Sequence, residues 1–310
     1  MAAYAIPPRP APFTAHTTLE ARAPFDFART LGFLGCFPPT EGEQQISPDA
    51  LHKVVSIDGR AIACRITGTP RATTLAVELR ADHAIDPSLC DRTTARLRFQ
   101  LSLDDDLTPF YARAASDPAF SKVVAAQHGH HHVKFPLPFE IACWAVLGQR
   151  SPLRAARTIK DAIVARFGPE VSLDTGEARA FPEPAALAGQ DARIASIVRD
   201  PRKASSLVAI ARAFAEVDER FLREGAFEEV EAWLLALPRI GAWSSAFILF
   251  RGLGRMPRLA LKEGPIFDAA RQVYGTTRGR PLQDREIAAI ADGYGEWCGY
   301  WALYLRARSR

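Results

Sequence analysis

Two hydrophobic rhythms divide the chain. Between residues 14 and 101, the stretches 51–57, 60–67 and 73–81 are short and rich in β-branched residues, the pattern of half-buried strands. Asp58-Gly59 between the first two is a hairpin turn signal, because both residues tolerate positive φ. Residues 25–36 and 87–101 carry apolar side chains at helical spacing. From Leu107 onward the pattern is almost wholly helical, predicting helices at 107–115, 118–127, 138–149, 152–167, 202–215, 228–236, 242–253, 264–274, 284–292 and 295–307. Gly129, Pro136, Gly168, Pro182, Pro184, Pro201, Gly254, Gly279 and Pro281 punctuate them. The fold class is therefore α+β. A small mixed α/β sheet domain (14–106) follows a disordered lead-in (1–13) and precedes an all-α bundle (107–310) with a helix-hairpin-helix at 228–253. The acidic run from Glu216 to Glu231 reads as a solvated face, and no internal repeat is present.

Composition narrows the class without choosing a function. The 310 residues are 48% hydrophobic and 24% charged, ordinary for a globular protein. No apolar run reaches the length of a membrane span, and the N-terminus lacks the apolar core of a signal peptide. The lead-in's closely spaced prolines (Pro7, Pro8, Pro10, Pro12) are instead the basis for expecting disorder there. The cysteines Cys36, Cys64, Cys90, Cys143 and Cys298 are widely spaced with no C-x-x-C, which argues against a zinc or iron–sulfur site and fits a reducing cytoplasm. No metal or other cofactor is expected. His128, His130, His131 and His132 lack supporting acids or cysteines and are expected in an exposed or DNA-proximal loop.

The stretch with most chemical content is 234–263. An apolar helix runs into Leu237-Pro238-Arg239-Ile240-Gly241, and a second apolar helix begins at once. A tight turn of this kind leaves backbone N–H groups unpaired at the start of the second helix, a natural anion site suited to a DNA phosphate. The net charge is +4, and the whole basic surplus lies after residue 138. Around the hairpin, Arg239, Arg251, Arg255, Arg258, Lys262, Arg271, Arg278 and Arg280 face only Glu263 and Asp268 in sequence, as expected for a surface that meets a polyanion.

The hairpin resembles that of the helix-hairpin-helix DNA glycosylases, and three further segments extend the likeness in order. Phe139 to Pro152, with Leu147-Gly148-Gln149-Arg150, is similar to the family segment in which one helix ends in L-G-Q and the next opens. Phe25 to Leu34 resembles the opening of the AlkA-like, alkylation-repair branch (DNA-3-methyladenine glycosylase II), and Tyr294 to Tyr304 resembles its final helix, with Glu296 replacing a proline. The four anchors span about residues 20–306. The absence of four closely spaced cysteines after the hairpin separates the chain from the cluster-bearing branch.

The resemblance implies a site. Arg150 takes the place of the wedge that fills the gap left by a flipped nucleotide; a guanidinium can stack on bases and neutralise phosphate. Gln149, Arg239, Ile240, Gly241 and Ser244 fall at the DNA-contacting positions. Phe33, Trp243, Phe247 and Trp297 fall at the aromatic positions of the base pocket, where a cationic alkylated base gains about 0.5–2 kcal/mol from a π face. Ordinary core packing is the alternative reading for all four. Trp243 stands where lyase-competent relatives place a lysine, which implies a monofunctional enzyme. The catalytic aspartate aligns with Glu263, whose carboxylate is the charge needed to stabilise a sugar cation and orient water. Its extra methylene matters, since a displacement of about 1 Å can cost on the order of a hundredfold. Capping of the following helix is the alternative role for Glu263, and Asp268 is the second carboxylate candidate. Lys262 beside Glu263 either keeps it ionised or binds it in a salt bridge. Arg239 replaces the first glycine of the family's L-P-G-I-G, a strained position if positive φ is required there.

The expected function is a monofunctional DNA N-glycosylase that excises alkylated purines. The expected partner is double-stranded DNA containing damaged bases, met by a monomer in the bacterial cytoplasm at the nucleoid, with no membrane. The alternative is a non-catalytic or weakly active DNA-binding relative that recognises damage without excising the base; a helical protein scaffold would leave the four ordered matches unexplained.

Overall fold

The computed structural model describes residues 13–40, 43–174, 176–257, 264–277 and 280–308. Lead-in residues 1–12, Lys262 and Glu263 lie outside the described residues. The N-terminal part is a five-stranded antiparallel sheet in the order β1-β5-β4-β3-β2, formed by β1 (Phe13–Glu20), β2 (Gln44–Ser47), β3 (Ala50–Ile57), β4 (Arg60–Thr67) and β5 (Thr74–Ala81). Asp58 and Gly59 join β3 to β4 with φ of 52° and 72°, the double positive φ of a two-residue hairpin. Within this sheet, strands β1 and β2 are the ones the pattern did not predict; they are the two edges, where exposure weakens the alternation.

One face of the sheet is apolar because alternate residues of β5 (Leu75, Val77, Leu79, Ala81) all point inward. Helices α1 (Phe27–Gly35) and α2 (Pro87–Leu101) cover this core with Phe27, Leu31, Leu34, Leu89, Leu97 and Leu101. Asp26 and Asp86 cap them by accepting from the backbone N–H of Ala28 and Leu89.

The helical part comprises α3 (Thr108–Ala115), α4 (Pro118–Ala126), α5 (Pro138–Leu147), α6 (Leu153–Phe167), α7 (Pro184–Leu187), α8 (Asp191–Ile197), α9 (Pro201–Glu216), α10 (Glu219–Glu224), α11 (Phe227–Leu235), α12 (Ala242–Arg251), α13 (Gly264–Tyr274), α14 (Asp284–Asp292) and α15 (Cys298–Arg308). A short hairpin, β6 (Glu170–Leu173) and β7 (Gly176–Arg179), and a two-residue pair, β8 (Thr276–Thr277) and β9 (Arg280–Pro281), interrupt them. The bundle has two cores. One surrounds α5, buried at every residue, with α6, α9, α11 and α12. The other joins α3 and α4 to α13, α14 and α15, so residues 107–124 close against the C-terminus.

The histidine segment is not the exposed loop expected of it. His130, His131 and His132 are buried, and only His128 of the group is exposed, stacked on Tyr111. The ring nitrogens of His131 lie 2.7 and 2.9 Å from the carbonyl oxygens of Ser102 and Pro24, while Phe135 N–H donates to the Arg251 carbonyl. The segment threads between the sheet and both helical cores, a placement that no local polarity rule encodes. Within the acidic run, Glu219 accepts from both Arg96 and Arg223, tying α10 to α2.

Candidate nucleic-acid interface and base cleft

Helix α11 ends at Leu235 and α12 begins at Ala242, with Leu237 and Ile240 of the intervening turn buried in the α5-centred core. Burial of Ile240 corrects its expected role: its side chain anchors the turn from below rather than facing a ligand. Ser244 is also buried, with its hydroxyl 3.5 Å from the Gln149 amide nitrogen. Gly241 is the N-cap of α12 and no side chain caps the helix, so the exposed first turn at Gly241, Ala242 and Trp243 keeps its backbone donors directed outward. A Cβ at Gly241 would meet nothing within 4 Å, so the surface there is open to close approach.

Arg239 adopts φ of 64°, the left-handed conformation that the glycine of the resembling motif takes freely. Its compensation is visible. Gln149 Nε2 donates to the Arg239 carbonyl at 2.6 Å, and Arg239 Nε donates back to Gln149 Oε1 at 3.2 Å. The turn after α5 and the hairpin are thus one unit, although about ninety residues separate them. Next to Gln149, Arg150 is exposed with φ of 51°, a second left-handed non-glycine residue. Gln149 spends its amide on bracing the hairpin, and Arg150 is the side chain left to project.

Sequence reading missed Lys203. It sits on the apolar stripe of α9 with Leu207, Ile210 and Phe214, and it is buried. Its ammonium donates to the carbonyls of Leu147 (3.0 Å) and Gln149 (2.7 Å) and to Ser151 Oγ (2.8 Å). Burial lowers its pKa, and Arg239 lowers it further, against the opposing pull of Asp200. Asp200 caps α9 by accepting from the N–H groups of Lys203 and Arg202, which hold its carboxyl below the usual carboxylate range, helped by Arg239. A charge inside an otherwise apolar helical stripe was the available signal.

A cleft of about 500 Å³ opens between α1, the histidine segment, α12 and α15, lined by Asp26, Arg29, Phe33, Cys36, Gln127, His130, Arg251 and Arg306 among others. Phe33 stacks on Phe37 at 5.0 Å, and the Arg251 guanidinium lies 4.9 Å from the Phe33 ring centre. Gln127 donates its amide N–H to the Tyr304 carbonyl, leaving its Oε1 toward His130 Nδ1. Burial, with Arg251 and Arg29 nearby, pushes the His130 pKa down to about 4, so the ring is neutral at pH 7.

Of the four aromatic residues expected around a base, the cleft lining contains Phe33 but, among the described residues, not Trp243, Phe247 or Trp297. Trp243, 56% exposed, stacks on Phe247 at 5.1 Å and 18°, one helical turn apart on α12. Arg251, a turn further on, reaches Phe33, so this face of α12 runs from the hairpin to the cleft. Trp297 is half-buried against Phe110 and Tyr300 in the C-terminal core. Asp268 forms an ion pair with Arg271, and Glu263 lies outside the described residues. No group of side chains suited to holding a metal occurs among the described residues, and no described helix is long and apolar enough to cross a membrane.

No family model matches the chain. It is 29% identical over 206 residues to the DNA-3-methyladenine glycosylase of Bacillus subtilis, covering 66% of this chain and 67% of that protein. It is 26% identical over 297 residues to a probable bifunctional transcriptional activator/DNA repair enzyme AlkA of Mycobacterium tuberculosis, covering 94% of this chain but 56% of that longer protein. The 3-methyladenine DNA-glycosylase structure from Archaeoglobus fulgidus superposes with a TM-score of 0.75 over 95% of this chain and 98% of that one at 20% identity, a likeness of fold. Alongside the ordered motifs and the braced hairpin, the chain is thus similar in sequence to proteins named DNA-3-methyladenine glycosylase and AlkA, and it shares the fold of the Archaeoglobus structure.

Proposed function

We propose that the chain is a monofunctional DNA N-glycosylase of base excision repair that flips an alkylated purine out of duplex DNA and hydrolyses its glycosidic bond. The observation that carries this reading is the reciprocal pair between Gln149 and Arg239, which fixes a projecting arginine beside an open helix N-terminus. The name of the Bacillus relative, a DNA-3-methyladenine glycosylase, supports a methylated purine as the substrate class, and that of the Mycobacterium relative supports DNA repair.

In this mechanism the α12 N-terminus and Arg239 hold a phosphate, and Arg150 enters the stack vacated by the flipped nucleotide. The base meets aromatic surface at Phe33 and on the Trp243–Phe247 stack, and Trp297 supports the neighbouring core. Alkylation makes the base a good leaving group: the C1′–N bond breaks, its electron pair leaves with the base, and positive charge builds on the sugar. The Glu263 carboxylate stabilises that charge and takes a proton from the attacking water, leaving an abasic site. With Trp243 in the place of a nucleophilic lysine, no strand cleavage accompanies excision.

The test is base release from duplex DNA carrying a methylated purine. Wild type releases base without nicking the strand, and Glu263→Gln lowers release at least a hundredfold, on the order expected for loss of a positioned catalytic group, while retaining DNA binding. Equal release by the two proteins removes Glu263 from the mechanism. Salt-dependent binding of damaged DNA with no release by either establishes the non-catalytic alternative.

A further inference from the structure

We infer that Lys203 is the positioning residue that holds Arg150 in its projecting conformation, so that recognition of a gapped or distorted duplex depends on a lysine that is itself buried. The inference rests on the reading of Arg150 as the residue that enters the duplex.

An ammonium group has three N–H donors and no acceptor. At Lys203 all three have acceptors, the carbonyls of Leu147 and Gln149 and the hydroxyl of Ser151. These acceptors flank Arg150 on both sides. Leu147 is the last residue of α5, where unpaired carbonyls and the helix dipole both favour a cation. Gln149 and Ser151 are the immediate neighbours of Arg150, so fixing both to one nitrogen closes the backbone around it. Arg150 has φ of 51°, a conformation that costs a residue with a Cβ roughly 1–2 kcal/mol and that the surroundings must therefore impose. The other restraint on this turn, the Gln149 side chain, acts from the hairpin side. Lys203 acts from α9, whose start is fixed by the Asp200 cap. The Arg150 turn is thus pinned from two independent elements. Removing the α9 pin leaves the Gln149 bridge in place while releasing the carbonyls before the turn and the hydroxyl after it.

A lysine that only stabilised the fold would affect all DNA complexes alike. A lysine that positions Arg150 affects those in which Arg150 fills a gap. The probes are two duplexes of the same sequence, one intact and one containing a tetrahydrofuran abasic analogue, with dissociation constants measured by fluorescence anisotropy at fixed salt. The proteins are wild type, Lys203→Met, Lys203→Arg, Arg150→Ala and the Lys203→Met/Arg150→Ala pair. Loss of one positioned charge-assisted interaction corresponds to about a tenfold effect. Lys203→Met is expected to lower the preference for abasic over intact duplex about tenfold. Arg150→Ala should do the same, and the double variant should lose no more than either single one. Lys203→Arg, which keeps the cation, should restore part of the preference.

Hydrogen exchange of the free proteins, read at residues 148–152, supplies a readout without DNA. Faster exchange confined to this turn in Lys203→Met supports the inference; unchanged exchange there overturns it. Additive losses in the double variant, or an unchanged preference in Lys203→Met while wild type discriminates, also overturn it and leave the glycosylase reading standing. If wild type itself does not prefer the abasic duplex, the wedge role of Arg150 falls and this inference falls with it. Base release by wild type is measured in parallel and reports on the enzyme reading separately.

Discussion

Lowering the pH from 7.5 to 5 should cost the native state about 2 kcal/mol through His130 alone. The ring is buried beside the cleft, and its pKa falls from the ordinary 6.5 to about 4, first because burial penalises the charged form and then because Arg251, Arg29 and His131 add positive potential. A histidine with a depressed folded pKa is neutral in both states above pH 6.5, and there its environment costs nothing. Below 6.5 the unfolded chain takes up a proton that the native ring refuses, so stability is lost progressively as the pH falls toward 4. A separation of 2.5 pH units corresponds to about 3.4 kcal/mol when the loss is complete, of which about 2 kcal/mol has appeared at pH 5. His132, fully buried with no hydrogen-bond partner for either ring nitrogen among the described residues, is shifted in the same direction. Glu43 opposes both: burial raises its pKa, so the native state gains relative stability there as the pH falls. The assay therefore compares wild type with His130→Gln by urea unfolding at pH 7.5 and 5, which cancels the other groups. The difference in pH dependence between the two proteins should be about 2 kcal/mol. Parallel profiles, or an imidazole signal of His130 titrating near 6.5, would refute the reasoning.

Two further outcomes follow from charged residues, one buried in the helical core and one in the hairpin. Lys160 is buried among Phe135, Trp144 and Phe181 and donates to Glu140 and Glu43, whose charges overcome the effect of burial and raise its pKa. Lys160→Met leaves the buried Glu140 carboxyl facing the half-buried Glu43 without their cation and should cost about 3–5 kcal/mol, lowering Tm by on the order of 10 °C in calorimetry, with Glu140→Gln in the same chain restoring part of it. Arg239→Gly relieves a left-handed residue by about 1 kcal/mol and loses a hydrogen bond to Gln149 of similar worth, so Tm should barely move. The same change should weaken DNA binding and make the log–log salt dependence shallower by about 0.9, the signature of one lost phosphate contact.

The strong periodic elements were legible in the sequence. The β3–β4 hairpin was readable because Asp58-Gly59 tolerates the turn's positive φ, and α2 because Asp86-Pro87 starts an apolar stripe. The helix-hairpin-helix was readable because Pro238 and Gly241 interrupt two apolar helices at close spacing. Other elements were missed: β1, as long as its neighbours but mostly exposed at the sheet edge, and β2, the β6–β7 hairpin, α7, α8 and α10, each too short to display a period. Around the candidate site, the motifs drew attention to Gln149, Arg150 and Arg239, which the structure brings together, whereas Lys203 and the cleft-lining Arg251 and His130 were not singled out for it.

The chain by itself thus determined which of the long, strongly periodic segments become helix or strand and that the Asp58-Gly59 turn carries positive φ, because those depend on neighbours within a few residues. Only the tertiary structure decided what the polar residues do. It turned Gln149 from a DNA-facing amide into a brace for Arg239, placed Ile240 and Ser244 beneath the surface, and buried a histidine segment that local polarity assigns to solvent. The reason is that a polar group's role is set by where its hydrogen-bonding partners lie, and for Lys203, Lys160 and Gln149 most of them come from elements far away in sequence.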